Sequence, residues 1–344
     1  MNKGDLRSLK YDDLLSLVLS CKEKSFRADQ IFDWLHRKLS ATYDEMSNVP
    51  GSLKDKLEER YDILKVEKER VLISGIDGTR KYIFRLYDDN LIESVFMRYE
   101  HGNSVCISSQ VGCRMGCSFC ASTLDGLVRN LLAGEMLGQI YEITKDVGER
   151  ISNVVIMGSG EPLDNLDNVL DLLDIVNDKR GLNISLRNIT LSTCGLTHKI
   201  RELADKKLEI TLAISLHASD DDKRKKIMPV ANSYSIAEIM DACGYYFDRT
   251  GRRISFEYAL ISGVNDGDDD ACELAGLLKG LNCHVNLIPV NPINERDYKR
   301  STKEAVRAFK NKLEKNNINV TIRREMGSDI DGACGQLRRR VMSC

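Results

Sequence analysis

From residue 100 onward, apolar strand-like segments alternate with helical segments, and this alternation limits the possible folds of the chain. The strand patterns cover residues 105–110, 153–158, 188–193, 209–216, 253–261, 284–290 and 319–324. Helical patterns lie between them, for example at 134–147 and 166–177. Alternating strands and helices with apolar strands predict an α/β fold, in which outer helices cover a parallel sheet. A partial or complete barrel fits this pattern, and so does an open doubly wound sheet.

The first hundred residues follow a different pattern. Residues 1–60 show helical spacing of apolar side chains, whereas 61–100 show strand-like alternation with Asp77-Gly78 as a hairpin signal. The last residues have weak periodicity and several glycines, which predicts a mobile tail. We therefore divide the chain into an accessory domain at 1–100 (helical, then a small β-sheet), a barrel domain at 101–325 and a tail at 326–344.

The composition of the chain indicates the cellular compartment and thereby limits the roles of the cysteines. The chain has eleven cysteines in 344 residues, and no apolar run approaches the ~18 residues that span a bilayer. The N-terminal segment keeps acidic residues within its apolar part, unlike a secretory signal. We therefore expect a cytoplasmic protein with no membrane partner, whose cysteines bind metal, react or are buried.

The charge of the chain neither indicates nor excludes binding of nucleic acid. The formal net charge is −2, so no overall field attracts RNA. Basic residues nevertheless cluster at 223–226, 249–253, 323–324 and 338–340. Each cluster is either a solvated surface or an RNA contact.

Cys113, Cys117 and Cys120 form a C-x3-C-x2-C array on a glycine-bearing loop after the first barrel strand. Three thiolates on a short loop can bind three of the four irons of a cubane cluster, which leaves the fourth iron open to a ligand. Zinc is the competing metal, but a structural zinc site needs four ligands, and no fourth Cys or His stands at a usual spacing. Buried or redox-active thiols are the remaining interpretation.

The spacing of this array resembles the signature of the radical S-adenosylmethionine (SAM) superfamily. The resemblance implies a partial (β/α)6-type barrel, a 4Fe–4S cluster on the three cysteines, and SAM chelated to the open iron. One electron from the cluster would cleave SAM to a 5′-deoxyadenosyl radical.

The same resemblance implies SAM contacts at the carboxyl ends of the strands, where β/α barrels gather their ligands. The implied contacts are Gly160, Glu161, Ser192, Ser215, Leu216, His217 and Asn291. Taken singly, a serine at such a position is more often a helix cap, and a lone histidine is more often structural.

Cys106 and Cys334 lie outside the array, and their surroundings carry a closer resemblance. The chain contains, in this order, FRADQIFDWL, CISSQVGCRMGCSFC, GEPLDN, ITLSTCG, SLHA, HVNLIPVNP, VTIRR and DIDGACGQL. Over essentially its whole length it resembles the RlmN family of RNA adenine methyltransferases and the related Cfr enzymes.

The RlmN resemblance implies a reaction that uses two SAM molecules per turnover. One SAM methylates Cys334, and the radical from the second removes hydrogen from that methyl group. The carbon radical adds to carbon 2 of adenine, which is not nucleophilic. Cys106 then attacks the Cys334 sulfur, which forms a disulfide and releases the methylated base. Glu93 matches the proposed acceptor of the carbon 2 proton, although strand alternation alone makes it a solvent-facing residue.

The resemblance also implies partners. The substrates would be an adenosine of 23S rRNA at the peptidyl transferase centre and the adenosine next to the anticodon of tRNA, each taken out of its stack. Flavodoxin or ferredoxin would reduce the cluster, and a thiol reductant would reset the disulfide. Two alternatives stay open: Cfr-type methylation at carbon 8, and a non-catalytic iron–sulfur RNA-binding protein that needs neither Cys106 nor Cys334.

Overall fold

The computed structural model describes residues 3–100 and 102–337. The predicted basic cluster at 338–340 and the end of the predicted tail lie outside these residues. Within them the structure has ten α-helices: α1 Tyr11–Ser20, α2 Phe26–His36, α3 Gly51–Glu58, α4 Ala133–Val147, α5 Leu166–Asn177, α6 Thr197–Asp205, α7 Asp221–Ile227, α8 Ile236–Thr250, α9 Asp268–Leu277 and α10 Lys303–Lys315. None of these helices is both long enough and apolar enough to cross a bilayer.

The same residues contain fourteen β-strands. They are β1 Gly4–Asp5, β2 Tyr61–Asp62, β3 Val66–Ile73, β4 Arg80–Leu86, β5 Leu91–Tyr99, β6 Gly102–Cys106, β7 Gln110–Gly112, β8 Leu127–Asn130, β9 Asn153–Ile156, β10 Ile189–Thr193, β11 Thr211–Ser215, β12 Ile254–Leu260, β13 Cys283–Pro289 and β14 Asn319–Ile322.

Ten of the described strands form one sheet, in the order β14-β13-β12-β11-β10-β9-β6-β5-β4-β3. The neighbours from β6 through β9 to β14 are parallel, and helices connect most of them. In the described part of the chain, the end strands β3 and β14 do not pair with each other. The predicted α/β fold is therefore confirmed, and the barrel is a partial one.

The small antiparallel sheet of the accessory region continues the barrel sheet. β5 pairs antiparallel with β6, with Val95 opposite Cys106, and β6 pairs in parallel with β9. β4 and β3 follow on the other side of β5, and the predicted hairpin signal Asp77-Gly78 lies between them. The predicted domain boundary at residue 100 thus falls between two paired strands of one sheet.

The N-terminal helices pack directly on the barrel. α2 buries Ile31, Phe32 and Leu35 on one face, and these side chains belong to the same hydrophobic core as the barrel strands. His36 at the end of α2 lies 2.7 Å from the Tyr141 hydroxyl of α4. The helical region at 1–60 and the barrel therefore share one core.

The first barrel strand ends earlier than the sequence pattern predicts. The pattern at 105–110 predicts a strand to Gln110, but β6 ends at Cys106. Beyond it, the Ser108 N–H donates to the side-chain oxygen of Gln139 on α4, 2.8 Å away. The backbone of Ser108 thus pairs with a side-chain amide instead of with a neighbouring strand. The alternation of apolar residues in the sequence does not indicate this change of hydrogen-bond partner. Cys106 consequently stands at the carboxyl end of its strand.

Candidate active site

The loop that carries the three-cysteine array is closed by its own backbone and side chains. β7 and β8 pair at its base, and the Cys113 N–H donates to the Gly126 carbonyl at 3.1 Å. The Thr123 hydroxyl lies 3.0 Å from the Cys117 carbonyl and 2.9 Å from the Cys120 carbonyl. All three cysteines line one cavity, here called the cofactor cavity, with an empty volume of about 950 Å³.

The three thiols fit a cluster better than a single metal ion. Their sulfurs do not all lie within 4.8 Å of one another in the described structure. A tetrahedral zinc, at ~2.3 Å from each sulfur, would draw them to within about 4 Å, whereas cubane ligands bind different irons and stand further apart. Burial raises the pKa of Cys113 to about 12. It also raises the pKa of Cys117 well above its ordinary value, and the charges of Cys120 and Cys113 add to the effect. A cationic cluster is the kind of partner that would hold such thiols as thiolates.

Gly160 and Glu161 follow β9 and form one wall of the cofactor cavity. Gly160 has φ +108°, and a Cβ there would lie 2.8 Å from the backbone nitrogen of Gln110, so only glycine lets the loop pass. The Glu161 carboxylate accepts from the Leu163 N–H at 3.0 Å and from the Cys194 N–H at 2.8 Å. Burial raises the pKa of Glu161. This carboxylate joins the loops after β9 and β10, and its unused lone pairs remain available to an ammonium group.

Ser192, Ser215 and His217 stand at the ends of β10 and β11 and line the same cavity. The two serine hydroxyls lie 3.2 Å apart. His217 Nδ1 accepts the Ala259 N–H at 2.9 Å, so the neutral ring carries its proton on Nε2. Burial lowers the pKa of His217 to about 3. His217 is therefore a neutral hydrogen-bond donor in the cavity wall.

The other two implied SAM contacts lie in different places. The Leu216 side chain is fully buried and is not part of the cavity wall. The structure thus does not bring the Leu216 side chain to the predicted site, because that side chain points into the core. Asn291, just after β13, does line the cavity, and its Nδ2 donates to the Cys334 carbonyl at 3.0 Å.

Arg224 is a structural residue of the site that the sequence did not reveal. It lies in the basic cluster 223–226, yet it is fully buried. Its guanidinium donates to four backbone carbonyls, those of Cys194 at 2.6 Å, Leu216 at 3.1 Å, Tyr234 at 3.2 Å and Ser215 at 3.4 Å. For this residue both the solvated and the RNA-contact interpretations are wrong, because these carbonyls occupy the cation. Nothing in a run of four basic residues distinguishes the buried one.

Cys334 lies between two cavities. It lines the cofactor cavity and also a second one, here called the thiol cavity, of which Cys106 is a wall residue. Both cysteines are free thiols in this structure. Burial raises the pKa of Cys106 to about 12, the charge of Cys334 adds to this rise, and the Arg323 guanidinium opposes it. Arg323 lines both cavities, so one cation serves both thiols.

The described part of the tail is docked against the rest of the protein. The Ala121 N–H in the cluster loop donates to the Gly335 carbonyl at 2.8 Å. At the other end, the Gly327 N–H donates to the Asp77 carboxylate at 3.0 Å. These contacts hold Cys334 between the cluster loop and the β3–β4 hairpin. The mobility predicted for this tail stays a prediction.

Glu93 is buried on β5, which excludes the solvent-facing position that strand alternation allows. Its carboxylate lies 3.0 Å from Lys81 Nζ, and each of the two side chains is only 5% exposed. Lys81 Nζ also donates to the Asp331 carbonyl at 3.2 Å, three residues before Cys334. Glu93 lines neither cavity. The structure therefore connects Glu93 to the tail through Lys81 and does not place it in contact with the two thiols.

Comparison with known proteins covers nearly the whole chain. A sequence profile described as the Radical SAM superfamily matches residues 107–275. A second profile, described as the ribosomal RNA large subunit methyltransferase N-terminal domain, matches residues 4–63. The two profiles correspond to the barrel and to the N-terminal helices.

Two curated relatives are each named "Probable dual-specificity RNA methyltransferase RlmN". The one from Lachnospira eligens is 62% identical, over 98% of this chain and 97% of the relative. The one from Alkaliphilus oremlandii is 56% identical over 99% of both. Among solved structures, a radical SAM methyltransferase from Sphaerobacter thermophilus superposes with a TM-score of 0.93 at 41% identity, covering 98% of this chain and 100% of that one.

Proposed function

Because the chain belongs to the RlmN family of radical SAM RNA methyltransferases, we propose that it methylates carbon 2 of adenosine through a methyl group carried on Cys334. The proposed substrates are an adenosine of 23S rRNA and the adenosine next to the anticodon of tRNA. The observation that carries the proposal is the position of Cys334, which lines both the cofactor cavity and the thiol cavity. One sulfur can therefore meet a methyl donor on one side and Cys106 on the other.

The cofactor cavity has the residues that such a reaction requires. Cys113, Cys117 and Cys120 would hold the 4Fe–4S cluster, and SAM would lie among Gly160, Glu161, Ser192, Ser215, His217 and Asn291. When bound, the cluster and two SAM molecules per turnover supply the methyl group, the reducing electron and the radical. An electron donor of the flavodoxin or ferredoxin class would deliver that electron.

Arg323 places a positive charge beside Cys334, because both residues line the two cavities. The pKa of Arg323 is raised, chiefly by the charge of Cys334 and also by that of Glu257. Cys334 in its thiolate form is the nucleophile that accepting a methyl group requires.

Cys106 completes the reaction by releasing the product. Before this step the adduct must lose the carbon 2 proton and one electron, for which the oxidised cluster would be the acceptor. The Cys106 thiolate then attacks the Cys334 sulfur, so that a sulfur–sulfur bond forms and the bond from that sulfur to the carbon attached to adenine breaks. The electron pair of the broken bond stays on carbon, which takes up a proton and becomes the methyl group. Two electrons from a thiol reductant then cleave the disulfide and restore both thiols.

Glu93 is the proposed acceptor of the carbon 2 proton, with Lys81 as its partner. The two side chains lie 3.0 Å apart and both are buried. Since Lys81 also holds the Asp331 carbonyl, displacement of the tail would change the surroundings of Glu93 at the same time. This coupling would make the base available when Cys334 moves toward RNA.

The experiment that tests the proposal analyses both the protein and its product. Peptide mass spectrometry of protein purified with its cluster should find one added methyl on Cys334, and digested RNA should contain 2-methyladenosine. A methyl on another residue would contradict the thiol assignment. If the only product is 8-methyladenosine, the chain follows the Cfr-type alternative.

A variant separates this enzyme from a non-catalytic RNA-binding protein. Cys106→Ala should accumulate a covalent protein–RNA adduct, because the radical adds to adenine but nothing releases it. The matched control is the double variant Cys106→Ala/Cys334→Ala, which should form no adduct. Absence of adduct in Cys106→Ala, with cluster, SAM and reductant present, would refute the scheme.

A further inference from the structure

A surface groove, here called the loop groove, lies beside the cluster loop. Its walls come from Arg114 and Met115 of that loop, from the loops after β9 and β10, and from the stretch after α7 that contains Pro229. No described residue of the tail lines it. The tail contacts the other end of the cluster loop, through Ala121 and Ser122. A partner bound in the loop groove would therefore leave these tail contacts in place.

Met115 connects this groove to the proposed cluster site. It stands midway between Cys113 and Cys117, and of the described residues it alone lines both the loop groove and the cofactor cavity. Its side chain packs against the hydrophobic core and is partly exposed. At this point one thioether side chain separates the cofactor cavity from the protein surface. An electron that arrives in the groove would cross this side chain to reach the ligands of the cluster.

The walls of the loop groove are mostly apolar and aromatic. Leu163 and Leu196 are buried in them, and Val230 is partly exposed. The rings of His198 and Tyr234, also in the walls, stack with their centres 5.9 Å apart. Weak electron-transfer complexes use small interfaces, and interfaces between proteins have an apolar centre inside a polar rim. The groove therefore suits a protein partner that binds briefly and leaves.

Two uncompensated cations lie beside the loop groove, on α7. The end of this helix is attached to the cluster loop, because the Ser118 N–H donates to the Ile227 carbonyl at 2.9 Å. Lys225 and Lys226 directly precede that contact and are exposed. Within the part of the chain that the structure describes, neither lysine makes a hydrogen bond or an ion pair. These ammonium groups are therefore available to the carboxylates of a partner.

Arg114 adds positive charge at the surface of the groove. It is paired with Asp164, but its side chain is 63% exposed, whereas that of Asp164 is only 10% exposed. The cation thus faces solvent and the carboxylate faces the protein. Lys199, a further wall residue, is balanced by Glu202. The surface around the groove therefore carries an excess of positive charge, which attracts an acidic partner within about a Debye length.

We propose that the loop groove docks the one-electron carrier, an acidic protein of the flavodoxin or ferredoxin class, with carboxylates of the carrier facing Lys225 and Lys226 and its electron entering past Met115. The reduced carrier loses one electron, the cluster gains it, and no atom is exchanged. This inference rests on the proposed function and adds the surface through which its electron arrives. RNA is the less suitable occupant, because its adenosine must reach Cys334, in the tail that contacts the other end of the cluster loop.

The test measures 5′-deoxyadenosine formation by the cluster-containing protein against the concentration of reduced flavodoxin. Lys225→Gln/Lys226→Gln should raise the flavodoxin concentration for half-maximal rate by about five- to tenfold, because two steering charges are lost. The dependence of this concentration on ionic strength should weaken as well. With dithionite, a small reductant that needs no docking surface, the rate should stay within about twofold. The matched control is Lys303→Gln/Lys315→Gln on α10, two exposed lysines with the same change of charge that lie outside the groove.

A crosslinking experiment locates the contact directly. A carbodiimide, which joins a carboxylate to an amine without a spacer, should link flavodoxin to Lys225 or Lys226, and peptide mass spectrometry would identify the bond. Crosslinks that map only to lysines away from the groove would refute the docking surface. So would Lys225→Gln/Lys226→Gln protein that needs no more flavodoxin than the α10 control does.

Two further outcomes separate the possible failures. If the changes at Lys225 and Lys226 raise KM for RNA and leave the requirement for flavodoxin unchanged, the surface binds RNA and the docking proposal is wrong. If the unaltered protein forms no 5′-deoxyadenosine even with dithionite, the proposed function fails instead.

Discussion

Replacing Arg224 by methionine is expected to destabilise the protein severely, because its guanidinium is fully buried and donates to four backbone carbonyls. The carbonyls belong to Cys194 after β10, to Ser215 and Leu216 at the end of β11, and to Tyr234 before α8. A single side chain thus ties together two strand ends and a helix. Methionine fills a similar volume and removes the charge together with every one of these hydrogen bonds.

The magnitude follows from opposing effects at Arg224. Each hydrogen bond from a charged donor contributes about 1.5–3 kcal/mol, and the four carbonyls would lose this donor. Removing the guanidinium also removes its own cost of desolvation, which offsets part of the loss. Deleting one partner of a buried charged network typically costs about 3–5 kcal/mol. We expect a loss of this size, equivalent to a fall of roughly 4–7 °C in the melting temperature.

The assay is thermal and urea unfolding of cluster-free protein, followed by circular dichroism. Arg224→Lys should recover little, since one ammonium group cannot reproduce the fork of the guanidinium. Lys225→Met is the matched control, because Lys225 is the next residue of α7 and is exposed; its effect should stay within about 0.5 kcal/mol. If Arg224→Met and Lys225→Met unfold within about 1 kcal/mol of each other, the buried role of Arg224 is wrong.

Three further predictions follow from the same kind of reasoning. Lys81→Met should cost about 3–5 kcal/mol in unfolding free energy because it removes the cation that lies 3.0 Å from the buried Glu93 carboxylate, and Lys81→Met/Glu93→Gln should be more stable than that single variant. Cys120→Ser should abolish the iron content and visible absorbance of anaerobically reconstituted protein, whereas Cys243→Ser, at a buried thiol outside the cofactor cavity, should retain both. Burial lowers the pKa of His36 to about 3, below its ordinary 6.5. Between these two pH values the unfolded chain therefore binds one proton more than the folded chain, so the free energy of unfolding falls as the pH falls. A non-titrating residue at position 36 should reduce this pH dependence of the unfolding free energy by up to ~1.4 kcal/mol per pH unit.

The strands and helices of the barrel could be predicted well from the sequence, because buried parallel strands appear in it as runs of apolar residues. The predicted helix at 166–177 coincides with α5, and the pattern at 284–290 nearly coincides with β13. The end of β6 was placed four residues too late, because Ser108 leaves the strand for a side-chain partner on another element. The local pattern of apolar residues does not show that β5 pairs with β6. The predicted domain boundary at residue 100, placed where that pattern changes, therefore falls within one sheet.

For the site, local motifs identified groups but not their partners. The array of Cys113, Cys117 and Cys120 and the strand-end residues come together around one cavity, since the carboxyl ends of parallel strands share an edge. The Leu216 side chain points into the core instead, and no local pattern reports which way a strand-end side chain turns. Arg224 and Lys81 act through contacts with residues distant in sequence, so their roles could be recognised only in three dimensions.

The shared sheet also limits how this protein can move. Backbone hydrogen bonds between β5 and β6 join the accessory strands and the barrel in one sheet, which opposes hinge closure of one over the other. We therefore expect any displacement that a catalytic cycle needs to come from the segment beyond β14, which is attached through individual hydrogen bonds such as those to the Gly335 and Cys334 carbonyls. A crosslink across that segment alone should then arrest the cycle without disturbing the scaffold.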